Sequence, residues 1–270
     1  MNNTSKSLNI ITLIFLVLSF AVALLRGFVL INFVDEIGLY TNDVAAGAFL
    51  ACMVLIALAV IAVYFFLKAK GFADVYPADN TKLKKAAFIM CAISFVCLSA
   101  TEVMKLIGSG VLSQIQFVLC AFSALYFIIA VFKNKKHGSS SAFFGVFGLV
   151  PALWAALRAI CIFMDVTTQI NSSERSLILT LTVCVMIMFI NEAEMFKPLA
   201  QEEKVKAEKD KRSAKSYAFA LAVISFSLIV FVSHIMMLIF TGEISDASGI
   251  IISAGSGVYA VSILTVCRNY

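Results

Sequence analysis

Eight apolar runs divide the chain, at Leu8–Phe33, Val44–Leu67, Ala86–Ile107, Leu112–Phe132, Ala142–Met164, Ser176–Phe196, Tyr217–Phe240 and Ser248–Cys267. Each is close to the roughly 20 residues that a helix needs to cross the hydrocarbon core of a bilayer. None carries the polar stripe of a surface helix. In hydrocarbon every backbone N–H and C=O must find its partner inside the protein, so only helices and closed barrels can span it. Barrel strands would alternate apolar and polar residues, and these runs do not. The expected fold is all-α: a polytopic membrane helix bundle of about eight transmembrane helices, one domain over 1–270. Composition agrees, since 61% of residues are hydrophobic and only 14% charged, against about half and a quarter in soluble domains.

The charges between the runs alternate in sign. One set of loops holds Lys68, Lys70, Lys82, Lys84 and Lys85, then Lys133, Lys135 and Lys136, then Lys197 through Lys215; Lys6 and Arg268 fall on the same side. The opposite loops hold Asp35, Glu36, Asp43, Asp165, Glu174, Glu243 and Asp246, with Arg175 as their one base. Lys and Arg are retained in the cytoplasm during insertion. Both termini are therefore expected there, and the net charge of +5 speaks for membrane topology rather than nucleic acid. A cleavable leader ending near Ala21-Val22-Ala23 is the alternative for the first run. The apolar stretch continues to Phe33, which favours an uncleaved helix.

Segment 199–216 is the longest polar stretch. Glu202–Lys206 and Glu208–Arg212 are spaced to support a solvated helix. It is expected to extend the sixth and seventh helices into the cytoplasm, with docking of a protein partner or contact with anionic headgroups as further uses. The cysteines Cys52, Cys91, Cys97, Cys120, Cys161, Cys184 and Cys267 sit in or at the ends of apolar runs, as small buried groups do.

The halves 1–132 and 133–270 align without a gap at an offset of 132 residues: Arg26 falls on Arg158, Glu102 on His234, Cys52 on Cys184, Gly110 on Gly242 and Ser113 on Ser245. Four helices per half would make parallel repeats. Identity at this offset is no higher than two apolar sequences share by chance, so coincidence is the competing reading.

Ionisable groups inside a membrane are costly and usually face the bundle interior. Here Arg26, Glu102, Lys105, Arg158 and His234 all fall in the outer parts of the odd-numbered helices. They suggest an outward-facing polar site. Two permanent guanidinium cations would grip a carboxylate or phosphate, Glu102 would balance one of them, and His234 could exchange a proton near neutral pH. Trp154, one turn before Arg158, could lend its ring to the guanidinium, while Pro151 would interrupt the fifth helix. Thr101, Gln114, Gln116 and Asn32 could add neutral hydrogen bonds. Lys105 is expected to snorkel to the surface. The competing reading is a structural ion network that fixes helix register.

Asn191, Glu192 and Glu194 close the sixth run. They form either an inner gate (Asn191, Glu192) or a cap paired with nearby lysines, the plainer reading. Gly249, Ser253 and Gly257, four apart, would let another helix approach closely, within the monomer or in a dimer. His137 lies far from His234, so a bis-histidine haem is not expected. No nucleotide, zinc-protease or nucleophile-elbow motif occurs. No catalytic residue, metal site or cofactor is assigned.

The stretch Pro151, Trp154, Arg158, Ser173-Glu174 and Glu192-Ala193-Glu194 resembles multi-pass bacterial inner-membrane proteins that are themselves uncharacterised. The resemblance implies that location and no activity. Three functions compete. The first is binding or transport of a small anionic or amphiphilic solute. The second is a signalling or accessory subunit docking a partner through 199–216. The third is an enzyme acting on a lipid headgroup, with Glu102 and His234 as acid and base. The bilayer is the one partner common to all.

Overall fold

The structure is a computed structural model. It describes residues 3–34, 40–70, 82–105, 111–133, 145–164, 173–195, 202–242 and 247–266. Eight long helices account for them: α1 (Asn3–Asn32), α2 (Asp43–Lys70), α3 (Lys82–Lys105), α4 (Val111–Lys133), α5 (Leu149–Met164), α6 (Ser173–Met195), α7 (Glu202–Thr241) and α8 (Ala247–Val266). Each supplies a stretch long and apolar enough to span a membrane, α5 together with the residues from Gly145 that lead into it, and the only pairing outside helices is one isolated bridge between Val34 and Tyr40 among the described residues. The chain is a multi-pass, all-α membrane bundle. His137 and the loop around it lie outside the described residues, as do the side chains of Lys105 and of 202–213.

Local chemistry fixes the helix ends. Asn42 caps α2, its Oδ1 accepting from the N–H groups of Val44 at 3.0 Å and Ala45 at 3.2 Å, which satisfies two donors that the first turn leaves open. α7 ends at Gly242, whose φ of 76° is the left-handed conformation that glycine adopts without strain. Its N–H reaches back to Leu238 O at 3.0 Å. Many hydroxyls within the spans return to their own helix, as in Thr182 to Ile178 O and Ser233 to Ile229 O, which spends their donors inside the apolar interior.

Pro151 was expected to interrupt the fifth helix. The break lies earlier, at residue 148. Pro151 sits in the first turn of α5, where a missing N–H costs no hydrogen bond.

Six helices form a closed circuit of neighbours, α3 to α4 to α5 to α6 to α7 to α8 and back to α3. α1 and α2 lie outside it, against α7. The spans show the same division, with 22% of the α2 window buried against 61% of the α8 window. α1 and α7 run parallel, since Thr12 and Leu8 O meet the Tyr217 hydroxyl and Gly27 abuts Met236. α2 shares no substantial contact with α3, whereas α6 packs on α7; these two pairs are equivalent under the 132-residue offset.

The circuit is filled by side chains. Phe127 stacks on Phe95 at 5.6 Å and also meets Phe88, Phe189 and Tyr259. Trp154 meets Phe95 edge-on at 4.8 Å. This aromatic layer draws on five helices. Close backbone approach tightens it: a Cβ on Gly255 of α8 would lie 2.5 Å from Ser94 Oγ of α3, and one on Gly257 would lie 3.1 Å from Ser227 Cβ of α7. Gly257 thus packs within the monomer.

Candidate functional site

Glu102 and Arg158 meet inside the circuit. Arg158 Nη1 donates to Glu102 Oε1 at 3.1 Å, and Nη2 donates to Ser248 Oγ at 2.6 Å. α3, α5 and α8 each supply one member. The arginine and glutamate side chains are only 11% and 5% exposed. A charge so placed would be costly unpaired; the carboxylate and hydroxyl offset that cost.

The layer around the pair holds more hydrogen-bond donors than acceptors. Arg158 Nε, Trp154 Nε1 and Gln116 Nε2 are buried without an acceptor among the described residues. Trp154 lies one turn before Arg158 on the same helix. Gln116 is one turn from Cys120, which bonds Phe95 O at 3.3 Å; that register sets Gln116 at the height of Glu102. Beneath the pair lies a cavity of about 20 Å³, bounded by Leu98, Trp154, Ser94, Ile252, Gly255 and Ser256 among others, room for about one water.

Helix register places the other two expected residues. Ser227 bonds Ser256 at 3.2 Å across the antiparallel α7–α8 seam. His234, two turns further along the same face of α7, is therefore level with Ser248. It is 2% exposed, and its Nδ1 lies 2.7 Å from Val230 O. Arg26, 1% exposed, stands at a similar height on α1 by the Tyr217 and Met236 contacts. Its guanidinium lies 5.1 Å over the Phe49 ring of α2, a cation–π contact in the outlying pair of helices. The structure thus joins Glu102 to Arg158, sets Trp154 and His234 nearby, and holds Arg26 on a helix outside the circuit. The Trp154 ring packs on Phe95 rather than on the guanidinium. Thr101 and Asn32 bond their own helices, at Leu98 O and Phe28 O, and Gln114 is exposed.

A second buried pair closes the other end. Lys84 Nζ lies 3.3 Å from Glu192 Oε1, linking α3 to α6. The Tyr259 hydroxyl is within hydrogen-bonding range of the same carboxylate, and Lys84 lies 5.8 Å over the Phe88 ring. The third run was expected to begin at Ala86, leaving Lys84 in a loop. α3 instead begins at Lys82, and Lys84 is buried. Asn191 and Glu192 are both buried, and Glu192 has the lysine partner expected of a cap, while Glu194 is only partly covered.

A lysine partner for Glu192 is the plainer expectation from sequence; that it is Lys84 was not named, although the sequence carries the signal. Lys84, Phe88, Cys91, Phe95, Leu98 and Glu102 step by four and three, the spacing of one helix face. All six are buried. A stripe with opposite charges at its two ends marks the interior face of α3.

A larger groove of about 460 Å³ lies between α2 and α6 over Phe226. It has no charged residue in its lining. A charged solute would find its partners in the circuit instead. Among the described residues no group of side chains could hold a metal ion. No protein-family model, curated protein or solved structure matches the chain.

Proposed function

We propose that this protein binds a small anionic solute at Arg158 and passes it along the interior of the six-helix circuit. One observation carries the reading: a permanent cation sits in a buried layer where Arg158 Nε, Trp154 Nε1 and Gln116 Nε2 have no acceptor. Each unmet buried donor costs about 1–3 kcal/mol, and a carboxylate or phosphate supplies the missing oxygens. Glu102 is the internal stand-in, holding Arg158 until a solute displaces it. His234, level with Ser248, is placed to exchange a proton as the charge changes hands. The arrangement is closed in this state, so access requires α3, α5 and α8 to separate at the Arg158 end.

On the charge rule for insertion we place the lysine-rich end in the cytoplasm and the Arg158 end outside, in a bacterial inner membrane. A cysteine put at Lys135 should label with an impermeant maleimide only in inside-out vesicles; labelling from the opposite face would reverse the direction of passage.

The binding test uses purified protein, phosphate and succinate as probes, and thermal unfolding as the readout. Wild type should be stabilised and Arg158→Ala should be stabilised less while keeping its helical circular dichroism. Equal stabilisation of both would reject the site. A second reading, docking of a partner protein, is favoured by one observation. α7 runs unbroken for 40 residues from the charged segment into the bundle, about 60 Å, so a contact at 202–213 would act on a helix touching α1, α2, α6 and α8. A partner lost when that segment is neutralised would support it.

A further inference from the structure

The Lys84 end repeats the composition of the Arg158 end. A buried cation is held by a carboxylate from another helix of the circuit: Lys84 by Glu192 at 3.3 Å, Arg158 by Glu102 at 3.1 Å. A buried donor without an acceptor occurs at each level: the amide nitrogen of Asn191, the residue before Glu192 on α6, at one end, and Trp154 Nε1 and Gln116 Nε2 at the other. Lys84 and Glu102 stand eighteen residues apart on one face of α3, about 27 Å along its axis, close to the roughly 30 Å thickness of the hydrocarbon core. The aromatic layer fills the space between them.

A structural ion pair alone does not account for Asn191. Glu192 already compensates Lys84, so the adjacent amide has no reason to stay buried with its donor unspent. We infer that Lys84 and Asn191 form a second oxyanion station, for a carboxylate or phosphate group, at the lysine-rich end of the circuit, with Glu192 as its displaceable stand-in. It rests on the Arg158 reading only in taking the same class of ligand. Its chemistry is that of an ammonium and an amide, which grip an oxyanion as point donors rather than as a planar fork.

The two stations can be read separately because Trp154 is the only tryptophan. It adjoins the Arg158 station, while Lys84 is eleven residues, about 16 Å of helix, from the Phe95 ring on which it packs. Phosphate or succinate is titrated into the full chain in nanodiscs of zwitterionic lipid. The unfolding midpoint reports occupancy of either station, and Trp154 fluorescence reports the Arg158 station. Lys84→Ala should lose part of the thermal stabilisation and keep the fluorescence response. Arg158→Ala should do the reverse. Glu192→Gln removes the competing carboxylate and should tighten the Lys84-dependent component about tenfold, an effect that a purely structural pair would not give.

Should Lys84→Ala fail to fold, Lys84→Arg, which keeps the cation and hence the stabilisation, and Glu192→Gln carry the test. Stabilisation identical in Lys84→Ala and wild type, or weakened in Glu192→Gln, overturns the second station. Absence of any Trp154 response in wild type overturns the Arg158 reading alone and leaves a Lys84-dependent shift standing. If soluble anions have no Lys84-dependent effect but anionic lipid in the nanodisc does, the station stands and its oxyanion is a headgroup.

Discussion

Replacing Glu102 by Gln removes one charge from a buried pair and keeps nearly the same volume. At 3.1 Å and an effective dielectric of about 20, the lost attraction is about 5 kcal/mol. Breaking one partner of a buried pair typically costs about 3–5 kcal/mol. Ser248 still accepts from Nη2, which argues for the lower part of that span, and we expect Glu102→Gln to be destabilised by about 3–4 kcal/mol. Arg158→Gln should cost a similar amount. The double variant buries no charge there and should cost less than the sum, with a coupling of about 3 kcal/mol. Reversible unfolding of the four proteins in mixed micelles with a denaturing detergent measures the cycle. The functional reading adds one term. With Glu102 gone, a soluble oxyanion can neutralise Arg158, so phosphate or succinate at a hundred times its Kd should restore about 2.7 kcal/mol to Glu102→Gln. Additive single variants would refute the pair as an energetic unit. A coupled pair with no anion rescue would refute the solute site and leave a structural clamp.

Other outcomes follow from packing. Gly255→Ala drives a Cβ to within 2.7 Å of Ser94 Cβ, which cannot swing away, and should cost about 1–3 kcal/mol, read as a lowered unfolding midpoint. Gly27→Ala meets Met236 Sδ at 2.5 Å, but a methionine can take another rotamer, so its loss should be smaller; the reverse order would contradict the close α3–α8 contact. Phe127→Ala empties the centre of the aromatic layer and should cost about 3–5 kcal/mol in the same unfolding assay. Tyr217→Phe removes the hydroxyl that meets Thr12 and Leu8 O and should cost about 1 kcal/mol, loosening α1 from α7 without changing the Trp154 response.

Hydropathy located all eight spans to within a few residues, because the penalty for a polar group in lipid depends on depth alone and is written along the chain. The third span shows the limit. Lys84 falls where an end-of-helix lysine belongs, and linear reasoning put it in the loop, although helix packing buries it against Glu192. The Arg158–Glu102 pair was legible because charges at matching depth in hydrocarbon must compensate each other. Which helix holds Arg26 was legible too, but not that α1 lies outside the circuit, since neighbour relations among apolar helices leave little trace in their composition. Ser248 was missed for a plain reason: one serine at a helix start carries no distinguishing pattern.

The position of α1 and α2 bears on biogenesis. Both lean on α7, which leaves the ribosome some 170 residues after α2 ends, roughly ten to thirty seconds at ordinary elongation rates. During that wait α1 sits in lipid with Arg26 and without its final neighbour. Phe49, supplied by the very next helix and 5.1 Å from the guanidinium, is an aromatic shelter already synthesised. The first hairpin thus carries its own chaperone for a buried cation, and a variant lacking that ring should be vulnerable to membrane quality-control proteases before the bundle closes.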